Sequence, residues 1–147
     1  MAATAWRVFR KAKESLITGV IDVDTSAMRI KICKGTDAAT ISNYAYTAGF
    51  ASCGTAVAFE GDDVRTLTGI DVTTLSGSNT IMFDASDKIF TASGALTSIQ
   101  YAVIGVSGGD PLAWCKLTAT PISLSATNTL KITMPAGGIF QLYGGET

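Results

Sequence analysis

Apolar residues recur at a helical spacing over the first 17 positions and at a spacing of two from Gly19 onward. Ala5, Phe9, Ala12 and Leu16 stand at i, i+4, i+7 and i+11, so the spacing predicts a helix over 5–17 with one apolar stripe. Thr4 is placed to cap its start and Gly19 its end. Arg7, Arg10 and Lys11 fall away from the stripe, and Trp6 and Lys13 flank it. Such a stripe must be covered, by the rest of the chain or by a neighbouring subunit. The helix is short and only moderately apolar, which argues against a membrane-surface role.

Beyond the helix, Met28, Ile30 and Ile32 alternate with Arg29, Lys31 and Cys33, which predicts a strand with one face to a core and the other to solvent. Ile81 with Phe83, and Leu130, Ile132 and Met134, carry the same pattern of half-buried antiparallel strands. Residues 99–106 are apolar on both alternating faces and predict a central strand. Further strands are expected at 64–73, 112–119 and 138–143, separated by turns at Ser76-Gly77-Ser78-Asn79, Ser107-Gly108-Gly109-Asp110 and Gly137-Gly138. Residues 35–60 are Ala-rich without a clean period and read as an irregular loop or arm with a short helix; no internal repeat is present. The expected fold is mainly β, an antiparallel β-sandwich or barrel-like domain of about seven or more strands with one N-terminal α-helix. The expected organisation is a single domain over 1–147, with helix segment 1–18 and body 19–147.

Composition supports a folded chain. At 147 residues and 47% hydrophobic content it is long and apolar enough for one packed core. The net charge of −1 hides an asymmetry: Arg7, Arg10, Lys11 and Lys13 precede the first acidic residue, Glu14, and residues 14–147 carry 7 basic against 12 acidic side chains. An acidic body repels phosphate backbones, so no nucleic-acid partner is expected. Trp6, Val8 and Phe9 are interleaved with basic residues, unlike a secretory leader, and no apolar run approaches the roughly 20 residues of a membrane span. Synthesis in a cytoplasm, without membrane association, is the expectation. Cys33, Cys53 and Cys115 are odd in number and widely spaced, which predicts buried free thiols.

The chain has no histidine, so the commonest general base near neutral pH and the commonest metal ligand are both missing. Gly105-Val106-Ser107-Gly108-Gly109 spells G-x-S-x-G, but a nucleophile elbow needs a helix after the turn, and here Asp110-Pro111 leads into another expected strand. Asp22-Val23-Asp24-Thr25-Ser26 resembles a calcium-loop opening, yet Ala27 and Cys33 stand where that loop needs glycine and glutamate, so a tight turn between strands is expected instead. Asp62-Asp63, and Asp84 with Asp87, sit beside turn residues and read as solvated carboxylates. No catalytic, cofactor-binding or metal-binding residue is therefore expected. Lys116 and Lys131 lie within strands, where lysine discourages stray edge pairing. Trp114 lies on the Lys116 side of its strand, opposite Ala113, Cys115 and Leu117, and is a candidate interface anchor unless a second layer covers it. Trp6, Phe9, Arg10 and Trp114 are the candidate protein-interface residues.

Four blocks in order carry a resemblance. The first is Lys13-Glu14-Ser15-Leu16-Ile17-Thr18-Gly19 followed by Ile21-Asp22-Val23-Asp24-Thr25 and Met28-Arg29-Ile30-Lys31-Ile32. Then come Ile81-Met82-Phe83-Asp84-Ala85-Ser86-Asp87 with Phe90-Thr91-Ala92-Ser93-Gly94, Tyr101-Ala102-Val103-Ile104, and Ala136-Gly137-Gly138-Ile139-Phe140-Gln141-Leu142. From Trp6 to Tyr143, apart from 34–63, the chain resembles a type of small structural protein of tailed-phage particles. The resemblance implies a virion component, on the head, neck or tail; the leading expectation is a non-enzymatic capsid decoration or cement protein made in the host cytoplasm. The expected partners are the major capsid protein and further copies of itself, as a dimer or trimer. A tail, neck or fibre-base protein is the alternative within that class. A carbohydrate-binding attachment module is a further one, with Trp6 and Trp114 as its only broad stacking platforms.

Overall fold

The computed structural model describes residues 4–43, 45–78 and 80–143; Asn79 of the expected 76–79 turn and the first three residues of segment 1–18 lie outside them. In chain order the elements are β1 (Arg7–Val8), α1 (Arg10–Ile17), β2 (Met28–Lys34), α2 (Ala38–Ile41), β3 (Val64–Thr66), β4 (Asp71–Thr74), β5 (Thr80–Asp84), β6 (Lys88–Thr91), β7 (Leu96–Val106), β8 (Pro111–Lys116), β9 (Ile122–Leu124), β10 (Thr129–Ile132) and β11 (Phe140–Tyr143). Single 3₁₀ turns occupy Gly35–Asp37 and Phe50–Ser52.

β7 is the middle of the molecule, as its two-faced apolar run predicts. It pairs with β2 on one side and with β8 and β9 on the other, in a sheet ordered β1-β8-β7-β2-β3. Residues 99–105 are all buried. A two-stranded sheet, β10-β6, and a three-stranded sheet, β11-β5-β4, complete the architecture, and every pairing is antiparallel. The smaller sheets send Phe83, Phe90 and Ile132 into the cluster that holds Ile30, Ile32, Ile104 and Leu112 of the main sheet. The fold is therefore mainly β and sandwich-like, and among the described residues no sheet closes into a barrel.

Two expectations are corrected. The helix begins at Arg10, five residues later than the spacing predicts, because the segment before it is extended and pairs with β8: Arg7 faces Trp114 and Val8 faces Ala113. Thr4 caps no helix. Its N–H donates to the Lys116 carbonyl at 2.8 Å and its Oγ1 accepts from the Lys116 N–H at 3.0 Å, so β8 has a covered edge. Ala5 is exposed, while Phe9, Ala12 and Ser15 form the buried face of α1 against β8.

The second correction concerns β2, whose Arg29-Lys31-Cys33 face is largely covered, with Lys31 and Cys33 buried and Arg29 half-buried. Residues 35–60 contain the expected short helix, α2, but part of them folds back over this face, burying Ile41, Phe50 and Cys53, while Val57 runs beside Ile32 and Phe59 packs on Phe90 of a smaller sheet. Lys31 is left 2% exposed beneath them.

Candidate protein-docking surface

The three-stranded sheet exposes an apolar row. Register places Leu142 opposite Ile81, Phe140 opposite Phe83, and Val72 opposite Phe83. Facing residues share a side of the sheet and the side alternates along each strand. Val72, Ile81, Phe83, Phe140 and Leu142 therefore lie on one face. Phe83 is buried and stacks on Phe140 with ring centroids 5.0 Å apart, so that end of the face belongs to the core. Val72, beside Phe83 on β4, and Ile81 and Leu142 farther along the face stay 41%, 44% and 51% exposed. One strand of apolar residue would be unremarkable on a surface, but three adjacent strands make a contiguous patch of the kind that takes a protein partner.

The patch continues into a cleft of about 550 Å³ lined by Val8, Lys13, Leu16 and Ile17 on one side and by Phe140, Gln141, Leu142 and Tyr143 on the other. Neighbouring strand residues point to opposite faces, yet Gln141 and Leu142 both line this cleft. It therefore opens along the edge of β11, which has β5 as its only strand partner among the described residues. Ile17 stands 86% exposed at the rim, and Lys13 is the one charged residue in the lining.

A second cleft, of about 530 Å³, lies where residues 35–60 cross β2, and it is more polar, with Arg29, Lys31, Asp37, Thr40, Ser52, Thr55 and Ser107 among its walls. Lys31 Nζ donates to the carbonyls of Phe50, Ala51 and Gly54 at 2.9, 3.1 and 2.8 Å, and it lies 4.9 Å from the centre of the Phe50 ring. That uses all three donors of the ammonium, so Lys31 is a clamp with no free hydrogen-bond donor for a ligand. Asp37 Oδ2 accepts from the Thr55 N–H at 2.8 Å, fixing the same segment. Arg29 Nη2 donates to the Val64 carbonyl at 2.7 Å, whereas its buried Nε has no partner.

The four residues proposed from sequence do not form one surface. Phe9 is fully buried, packed against Tyr46 at 6.1 Å between ring centres. Trp114 is also buried: Tyr101 meets it edge-on at 6.0 Å, and the Arg7 guanidinium lies 5.5 Å from its ring centre. Both of these neighbours stand on Trp114's own sheet, and the ring lines a small cleft with Thr4, Ser42 and Lys116. Trp6 is half-buried beside Leu117 and Leu130, and Arg10 is exposed. Val72, Ile81, Leu142 and Ile17 were not singled out by pattern. Ile81 does carry a strand signal, but its exposure depends on how far the three-stranded sheet overhangs the body.

The other motifs take turn and loop roles. Ser107 belongs to the hairpin between β7 and β8; its N–H donates to the Ala27 carbonyl at 2.9 Å, and Gly108 takes φ +73°. Asp22 Oδ1 accepts from the Asp24 N–H at 3.0 Å in a turn joining α1 to β2, rather than two strands. Asp84 faces Asp71 across β4 and β5, whereas Asp87 accepts from the Met134 N–H at 2.9 Å and pairs with Lys131 at 2.8 Å. The three cysteines are free and buried, and burial pushes the thiols of Cys33 and Cys115 up to about 12 and that of Cys53 up to about 11. Among the described residues no His, Cys, Asp or Glu cluster could hold a metal ion, and no helix is long and apolar enough to cross a membrane.

No protein-family model matches the chain, and neither the search of curated proteins nor that of solved structures finds a match.

Proposed function

We propose that this protein is a non-enzymatic structural component of a tailed-phage particle, a decoration or cement protein that docks on the major capsid protein and on copies of itself. The observation that carries the reading on the structural side is the exposed row Val72-Ile81-Leu142, continued by Ile17. Apolar groups held outward on a rigid sheet suit burial against another protein, at about 25 cal/mol per Å² removed from water. Repeated over the equivalent junctions of a symmetric shell, small contacts of this kind sum to a large resistance against internal pressure. The order of sequence blocks from Trp6 to Tyr143 supports the same class.

The test is stoichiometry. Densitometry of purified particles should give a copy number equal to that of the major capsid protein or a simple fraction of it, and particles lacking the protein should release DNA at a lower temperature. A handful of copies per particle would move the protein to the neck, tail or fibre base. Complete absence from particles would end the virion reading.

A further inference from the structure

We infer that the cleft beside β11 receives the β4 edge of a second copy of this chain, so that three-stranded sheets join head to tail. This rests on the reading that the apolar row docks protein and names the partner.

Both outer strands of the sheet are four residues long and, among the described residues, pair only with β5. Each therefore keeps one open edge of backbone donors and acceptors, the feature that makes strand addition possible. The cleft walls on the β11 side are apolar apart from Lys13, and β4 offers the matching chemistry in Val72 and in Asp71, its only charged residue. Asp71 has no salt-bridge partner within its own chain among the described residues, and it faces another carboxylate, Asp84, across the ladder, a like-charge opposition that a cation from outside would relieve. The cleft's one charged residue, Lys13, is basic, and the sheet's two carboxylates, Asp71 and Asp84, lie on β4 and β5. Joining β4 of one copy to β11 of the next brings Asp71 toward Lys13 and continues the apolar face that carries Val72, Ile81 and Leu142 across the junction. A contact between two different patches is heterologous: it closes into a ring where the rotation permits and otherwise runs on as a chain.

The prediction is checked on the isolated full-length protein by sedimentation velocity across the micromolar range. The wild type should self-associate with increasing concentration. Val72→Arg, which blocks the β4 edge, and Leu142→Arg, which blocks the cleft, should each lower the association constant at least ~10-fold. Both sites are about half exposed, and unchanged circular dichroism verifies the fold of each variant. An equimolar mixture of the two variants should form a dimer and stop there, because one intact edge and one intact cleft remain. A monomeric wild type, oligomers that survive either substitution, or a mixture that stays monomeric would each overturn the inference. None of these outcomes bears on whether the protein is found in particles, so this idea and the virion reading fail separately.

Discussion

Lys31 decides how the polar face of β2 is used. A lysine in a strand otherwise marks solvent, and here its three hydrogen bonds to Phe50, Ala51 and Gly54 hold residues 35–60 on the sheet instead. Replacing it with an isosteric apolar side chain, Lys31→Met, leaves those carbonyls without their donor and should cost about 2–3 kcal/mol in chemical denaturation. Gly105 supports the same contact from beneath, since a Cβ there would overlap the Phe50 ring. Gly105→Ala should cost about 1–3 kcal/mol and loosen the same segment. Alternation alone could not reveal this. It shows which residues share a face of β2, but whether that face meets water depends on a segment with no period of its own. Asp87 is the titrating residue to watch. Its hydrogen bonds from Lys131 and from the Met134 N–H hold its carboxyl below the usual 3.8. A depressed folded value adds stability above the unfolded pKa and loses it as the pH falls through the folded one. Stability measured from about pH 5 down to pH 2 should therefore decline. Asp87→Asn should flatten part of that slope, leaving the share of Asp22, which is lowered by its own turn bonds.

Among the elements, α1 with its leading strand β1 is the one most changed from its sequence reading. The i, i+4 relation of Ala5 and Phe9 is compatible with a helix, but Arg7 and Val8 gain more by pairing with β8, a partner about 100 residues away that no local pattern can announce. What remained legible was the buried face, since Phe9 and Ala12 were placed on it correctly. Ser15, polar and buried, escaped notice; its hydroxyl donates to Asp110 Oδ2 at 2.7 Å and ties the helix to the β7–β8 hairpin. Deleting residues 1–18 should therefore do more than weaken association: it uncovers the β8 edge and strips Phe9, Ala12 and Ser15 from the core. The truncated chain is expected to lose amide dispersion in its NMR spectrum. A well-dispersed spectrum would show that the body folds alone. Two short strands, β6 and β9, were not foreseen either, because three or four residues become a strand only where a neighbour, β10 or β7, offers a ladder.

At the level of the whole molecule, the class of fold could be read from period-two runs and turn residues, and β7 could be identified as its centre. Sheet order could not, nor could the division into one large and two small sheets, because pairing is decided by contacts distant in sequence. The docking surface was hidden for the same reason: Ile81 and Leu142 look like core residues in their strands, yet among the described residues nothing buries them. The central pairing has a consequence for synthesis. β2 meets β7 from Met28 opposite Val106 to Lys34 opposite Ile99, so the two strands lie about half the chain apart. At roughly 5–20 residues per second, β2 waits several seconds on the ribosome for its main partner. During that interval Ile30 and Ile32 have no β7 ladder to join, and Lys31, with its early partners at Phe50 to Gly54, becomes the residue that keeps an unfinished strand from sticking to its neighbours on the same messenger.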